Sequence, residues 1–148
     1  MVEMNKEMKL SPHFTLGELT KTSHKTADGN IPSRVAIENL RNICENWLEA
    51  LRQAQGPIVI NSGYRSPEVN KLAGGSVTSN HLTGCAVDIR VAGFEQAIRY
   101  ASILLDIADG TKQEYDELYI ERNSAGRYWI HFAVRPKDNR HKTGFLKV

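Results

Sequence analysis

An imidazole and a carboxylate flank a glycine turn in the stretch Ser79-Asn80-His81-Leu82-Thr83-Gly84-Cys85-Ala86-Val87-Asp88. Asp88 falls inside Ala86 to Val91, whose alternation reads as a buried strand, with Ala86, Asp88 and Arg90 on one face and Val87, Ile89 and Val91 on the other. Desolvating an unpaired carboxylate is costly or drives its pKa upward, so Asp88 must meet a cation, a donor network or a metal. A metal answers the need most directly. His and Asp are ordinary zinc ligands, and a catalytic zinc takes three protein ligands and leaves a fourth position for water. The third candidate lies far downstream: His131, the imidazole in the middle of Tyr128-Trp129-Ile130-His131-Phe132-Ala133-Val134, an aromatic and aliphatic run with strand propensity. Taken singly, each has a plainer reading: His81 as a loop histidine, Asp88 as a cap or ion pair, His131 as a satisfied core histidine.

Other elements must bring these residues together. Thr15-Leu16-Gly17-Glu18 has the capping-box pattern and starts a short helix. Lys21 to Asn30 is polar and aperiodic, a loop that leaves His24 solvated. From about Ile31-Pro32 the apolar residues Val35, Ile37, Leu40, Ile43, Cys44, Trp47, Leu48 and Leu51 recur at helical spacing, which puts Trp47 and Cys44 in the core, until Gly56-Pro57 stops the helix. Ile58-Val59-Ile60 is a short strand delivering Ser62 to Arg65, and Ser66-Pro67 caps a small helix broken at Gly74-Gly75. Phe94, Ala97, Ile98, Ala101, Leu104, Leu105 and Ala108 predict a second long helix ending near Asp109-Gly110. Glu117 to Glu121 and Tyr128 to Val134 then form a hairpin. The tail, Arg135 to Val148, carries five Lys or Arg against one Asp and contains Pro136. It reads as a solvated basic end without regular structure, with weak attraction to anionic polymers as its functional alternative.

At 148 residues the chain fits one domain, residues 1–148, with enough length for a core without disulfides. A formal charge of +2 falls short of the basic stripe of a nucleic-acid binder, so no nucleic-acid partner is expected. Cys44 and Cys85 make no CxxC and read as packing residues. Gly74-Gly75 lacks the pattern of a phosphate loop. Met1 to Lys9 is polar and lacks the apolar region of a secretory signal, and no segment approaches the roughly 18 apolar residues of a membrane span. Synthesis in the cytoplasm without membrane insertion is the expectation, and a monomer is expected. His13 and His141 lie outside any ligand spacing.

Ser79-x-His81-x-x-Gly84-x-Ala86-x-Asp88, preceded by Ser62-Gly63-Tyr64-Arg65-Ser66 and followed by Trp129-Ile130-His131, resembles the M15 family of zinc D-Ala-D-Ala peptidases. The likeness is strongest to its short branch of phage and bacterial wall hydrolases and runs from about Phe14 to Val134. It implies an α+β fold of the Hedgehog/DD-peptidase type, in which a small antiparallel sheet carries one zinc ion and helices cover its other side. His81, Asp88 and His131 are the implied ligands. Many members carry a carboxylate three residues before the last histidine; here that position is Tyr128. The short branch instead carries a Glu at the end of the preceding strand, which matches Glu121 and makes it the expected general base. Glu121 and His131 share a face only in an even-sum register, with Glu121 opposite Trp129, Tyr119 opposite His131, and a five-residue loop from Asn123 to Arg127. Arg65 is the implied electrophilic stabiliser, able to face an oxyanion or hold a terminal carboxylate. Ser79 is expected to orient substrate or brace the His81 loop, and Trp129 to wall the cleft or pack.

The expected activity is hydrolysis of an amide in peptidoglycan stem peptides by zinc-activated water, as a carboxypeptidase or an endopeptidase. The alternative is a non-catalytic zinc-containing module that binds cell wall. A nuclease or phosphatase would call for more carboxylates for two metals and more cations around phosphate. The resemblance places the site of action in the periplasm or wall after release, as for an endolysin.

Overall fold

The computed structural model describes residues 4–148, so the first three residues of the polar N-terminal segment lie outside the description. Two short strands, β1 (Lys9–Ser11) and β2 (Phe14–Thr15), lead into α1 (Leu16–Leu19), where Thr15 and Glu18 close the expected capping box. The first long helical region has three parts: α2 (Arg34–Ile43), a π turn over Cys44–Leu48, and α3 (Glu49–Gln55). Its N-cap is Ser33, whose hydroxyl accepts from the Ala36 amide, so Pro32 stands before the helix and not in its first turn. After β3 (Ile60–Ser62), Ser66 caps α4 (Pro67–Leu72). Next come β4 (Ala86–Arg90), α5 (Phe94–Thr111), β5 (Glu117–Arg122), β6 (Tyr128–Ala133) and β7 (Lys142–Lys147).

β3 to β7 make one five-stranded sheet in the order β3-β4-β6-β5-β7. The first four strands are antiparallel, and β7 adds to the edge parallel to β5. The molecule is therefore α+β, with a mixed and not wholly antiparallel sheet. Alternation divides the faces. Val87, Ile89, Leu118, Ile120, Ile130 and Phe132 point into the core, where Trp47 packs on Phe132 with ring centroids 4.9 Å apart. The other face carries Asp88, His131 and Glu117, and it stays partly open.

Three expectations need correction. The tail is not an irregular basic end: Lys142–Lys147 is β7, held along the whole of β5, because β5 leaves a free edge that a polar strand can satisfy. α5 ends at Thr111, close to the expected Asp109-Gly110, but its Ile98 and Leu105 are exposed on the outer face while Ala97, Tyr100 and Leu104 are buried. Val35 is likewise exposed. Trp47 is fully buried as expected, as are the free thiols of Cys44 and Cys85. Among the described residues no helix is long and apolar enough to cross a membrane.

Candidate metal centre

The sheet register aligns one row of residues across the open face. Ser62 stands opposite Asp88, Asp88 opposite His131, His131 opposite Tyr119, and Tyr119 opposite Gly144. Two of the three candidate ligands are thus direct cross-strand neighbours. The hairpin adopts the even-sum register, with Glu121 opposite Trp129 and Asn123 to Arg127 left as the loop.

His81 arrives from a 3-10 turn, Asn80–Thr83, whose N-cap is Ser79, its Oγ accepting from the His81 N–H at 3.1 Å. The turn closes on Gly84 in the left-handed region at φ +72, where a Cβ would stand 2.4 Å from the Ala36 carbonyl oxygen. Only glycine meets both demands. Gly63 is equally constrained, since a Cβ there would lie 2.2 Å from the Leu19 oxygen, and its own carbonyl receives His81 Nδ1 at 2.7 Å. The neighbouring Arg65 loop is pinned twice: the Arg65 amide donates to the His81 carbonyl, and buried Asn30 bridges Thr20, Tyr64 and Ser66.

One ligand atom from each of His81, Asp88 and His131 lies within 4.8 Å of the others; His81 and Asp88 are buried, and the His131 side chain is 12% exposed. Asp88 Oδ1 stands 3.3 Å from His81 Nε2 and 3.2 Å from His131 Nδ1. Each imidazole uses its remaining nitrogen on an oxygen: His81 Nδ1 on Gly63, and His131 Nε2 on Glu117 Oε1 at 2.9 Å. Those outer nitrogens are donors, since carbonyl and carboxylate oxygens only accept. The inner nitrogens of neutral rings are then lone pairs facing a carboxylate. Acceptors turned on one another in a buried space call for a cation or extra protons, and two imidazoles with a carboxylate are the donor chemistry of a divalent metal. Without the metal the demand falls on protons. Burial alone would lower the His131 pKa, but its bonds to Asp88 and Glu117 raise it to about 10. Burial would raise Asp88, but the two imidazoles hold it far below the usual carboxylate range.

Glu121 faces the same cleft, of about 800 Å³, whose walls include Arg65, His81, Asp88, Tyr119, Trp129 and His131. Its Oε1 accepts from Trp129 Nε1 at 2.7 Å. Burial pushes its carboxyl upward, and the charge of Asp88 adds to this. Trp129 therefore walls the cleft and also holds Glu121. Arg65 is split between two partners, Nη2 donating to Asp88 Oδ2 at 3.1 Å and Nε to Ser62 Oγ at 2.9 Å. Ser79 braces the His81 turn. His13 pairs with Glu49 and His141 with Glu114, both away from the cluster.

One residue escaped the sequence reading. Glu117 is a second carboxylate on the same face of β5, and its bond to His131 Nε2 sets that ring's tautomer and rotation. That bond, more than any other contact, holds its carboxyl below the ordinary range against the opposing effect of burial. Parity alone could have found it, since Glu117 and Glu121 are an even number of residues apart on a strand.

A family model described as Peptidase M15 matches residues 12–121, most of the chain, and the chain belongs to that family. The match includes His81, Asp88 and Glu121 and stops short of His131. A zinc D-Ala-D-Ala carboxypeptidase of Streptomyces albus G is 30% identical over 125 residues, covering 79% of this chain and 48% of the relative. The chain thus spans about half the length of the curated relative it matches.

Proposed function

We propose that the protein is a zinc-dependent peptidase that hydrolyses an amide bond in the stem peptides of peptidoglycan. His81 Nε2, Asp88 and His131 Nδ1 are its metal ligands. The observation that carries this reading is the convergence of those three groups at the base of an open cleft, each imidazole aimed by a bond on its outer nitrogen. Membership of the M15 family and the D-Ala-D-Ala carboxypeptidase activity of the Streptomyces relative support the class of reaction.

Zinc bound there supplies Lewis acidity and brings the pKa of a coordinated water toward ~7. The protein's own groups do the rest. Glu121 is the general base: Trp129 occupies Oε1, so Oε2 is left to accept a proton and hand it to the departing amine. Its burial raises its proton affinity, which suits that exchange. Arg65 sits beside Asp88 with Nη1 uncommitted among the described residues, positioned to face negative charge developing on the scissile oxygen. Ser79 acts through His81, fixing the turn that aims it. Tyr119 stacks on His131, centroids 5.8 Å apart, and covers one side of the ring.

Incubation of the zinc-loaded protein with purified peptidoglycan, followed by mass analysis of the fragments, tests the proposal. Release of D-alanine identifies a carboxypeptidase, and internal cleavage an endopeptidase. Activity should vanish with chelator and return with zinc. Zinc bound at one per chain without any fragment released would establish the alternative, a wall-binding module, and overturn the enzyme reading.

A further inference from the structure

The sheet ends, on the side away from Arg65, in a strand that the family match does not reach. β7 pairs with β5 in the register Glu117 to Lys142, Tyr119 to Gly144 and Glu121 to Leu146. Register partners share a face, so Lys142, Gly144 and Leu146 continue the surface that bears His131 and Glu121. Gly144 completes the row through Asp88, His131 and Tyr119, and open space lies where its Cβ would stand. A peptide can cross β7 at that point without meeting a side chain. Leu146 borders the gap on the Glu121 side and Lys142 on the other.

The Lys142 end of the cleft is cationic. Arg135 and Arg140 line it with Lys142, and both guanidiniums are anchored on Asp116, which is wholly buried. Arg140 donates Nε and Nη2 to its two oxygens at 2.9 and 2.7 Å, and Arg135 Nε lies 3.2 Å from Oδ2. The acidic groups nearby face inward: Asp116 onto the guanidiniums and Asn80, Glu117 onto His131 and Asn80. Lys142 makes no ion pair among the described residues, and neither Arg135 nor Arg140 commits its Nη1 to a hydrogen bond there. Guanidiniums already fixed by one carboxylate lose little freedom on receiving a second. A polyanion would run on into Glu117 and Glu121, whereas a single anionic group fits the corner.

We infer that Arg135, Arg140 and Lys142 form a subsite for a carboxylate of the peptide substrate, so that the C-terminal strand selects acidic peptides and lays them across Gly144 toward His131 and Glu121. The inference rests on the peptidase reading above. Its test is calorimetric, on zinc-loaded protein carrying Glu121→Gln to suppress turnover. Four synthetic tetrapeptides are compared, alike except for Glu or Gln at one internal position and a free or amidated C-terminus. One acidic form should bind about 10-fold tighter than its neutral counterpart, and which arm shows the preference tells a side-chain carboxylate from a terminal one. Adding Lys142→Glu should abolish the preference; Lys142 is exposed, and a thermal melt checks that the fold persists. Equal binding of all four peptides, or a preference that survives both Lys142→Glu and Arg140→Gln, overturns the subsite alone. Failure of any peptide to bind would count against the peptidase reading, and the subsite falls with it.

Discussion

Two carboxylates are buried near the floor of this cleft, Asp88 and Asp116, and they satisfy their charge in opposite ways. Asp116 is saturated by the protein's permanent cations: both its oxygens receive guanidinium donors from Arg140, with Arg135, Asn80 and the Arg140 amide completing the shell. Asp88 has one such partner, Arg65 on Oδ2, and turns Oδ1 toward two imidazoles whose outer nitrogens are already committed. Arginine cannot lose its proton, so the first arrangement is complete in itself. Imidazole can be neutral, so the second is complete only with a cation that the chain does not encode. Buried charge becomes structure where the partner is fixed, and chemistry where the partner can exchange.

Exchanging the two aspartates for their amides breaks the comparison most sharply. Asp88→Asn should abolish zinc binding at micromolar metal and reduce peptidase turnover to background, a larger loss than the ~10–100-fold that outer-shell partners are worth. Metal content and turnover read this directly. Asp116→Asn should keep zinc near one per chain but lower the stability of the fold by ~3 kcal/mol, the low end for breaking a buried pair because both arginines reach solvent. Denaturant titration measures it. If Asp116→Asn strips the metal, or Asp88→Asn keeps it, the division between the two carboxylates is wrong. Next in size, Glu121→Gln should retain zinc and lose ~10²–10⁴ in kcat. An unchanged kcat would move the proton transfer to another group on the face, of which Glu117 is the nearest carboxylate to His131.

The same contrast explains what could be read from the sequence. The metal cluster was legible because its parts sit on local patterns, a strand alternation around Asp88 and an aromatic strand around His131, while the register of Glu121 followed from requiring it to share a face with His131. The M15 likeness added the grouping that distance along the chain conceals. The Asp116 cluster was not legible. Its cations come from a tail that looks solvated when read alone, since Lys142–Lys147 has little apolar periodicity and becomes a strand only because β5 has an edge to give. The π turn at Cys44–Leu48 was equally hidden, because π and α spacing differ by less than the apolar pattern resolves. For Ser79 the sequence left substrate contact and bracing of the His81 loop both open, and for Trp129 a cleft wall or packing; their protein partners, the His81 amide and the Glu121 carboxylate, are visible only in three dimensions.

Glu117 joins the two clusters, and its substitutions sharpen the boundary between them. Its Oε1 takes both His131 Nε2 and Asn80 Nδ2, while Oε2 lies 3.6 Å from Arg140 Nη2. If it acts by aiming His131, Glu117→Ala should weaken zinc binding ~10–100-fold in competition with a chelating dye. Glu117→Gln keeps an acceptor for the imidazole and should recover most of that loss. Equal loss in both variants would mean that the charge of Glu117, and not its geometry, supports the metal.

The smallest effect expected is in acid, and it isolates Asp116. Burial acts to raise its pKa, but the guanidinium of Arg140, the amide of Asn80 and the charge of Arg135 outweigh this and bring it from 3.8 to about 2. A carboxylate whose folded pKa lies below its unfolded value stabilises the fold fully above the unfolded value, and that contribution disappears as the pH falls through the folded one. The window is therefore about pH 4 down to about pH 2, and the amount is on the order of 2 kcal/mol. Unfolding free energies of the native chain and of Asp116→Asn should differ at neutral pH and converge across that window. A gap that stays constant would show that the ion pairs around Asp116 add nothing beyond the shape of the side chain. A gap that closes already near neutral pH would instead assign the effect to a histidine.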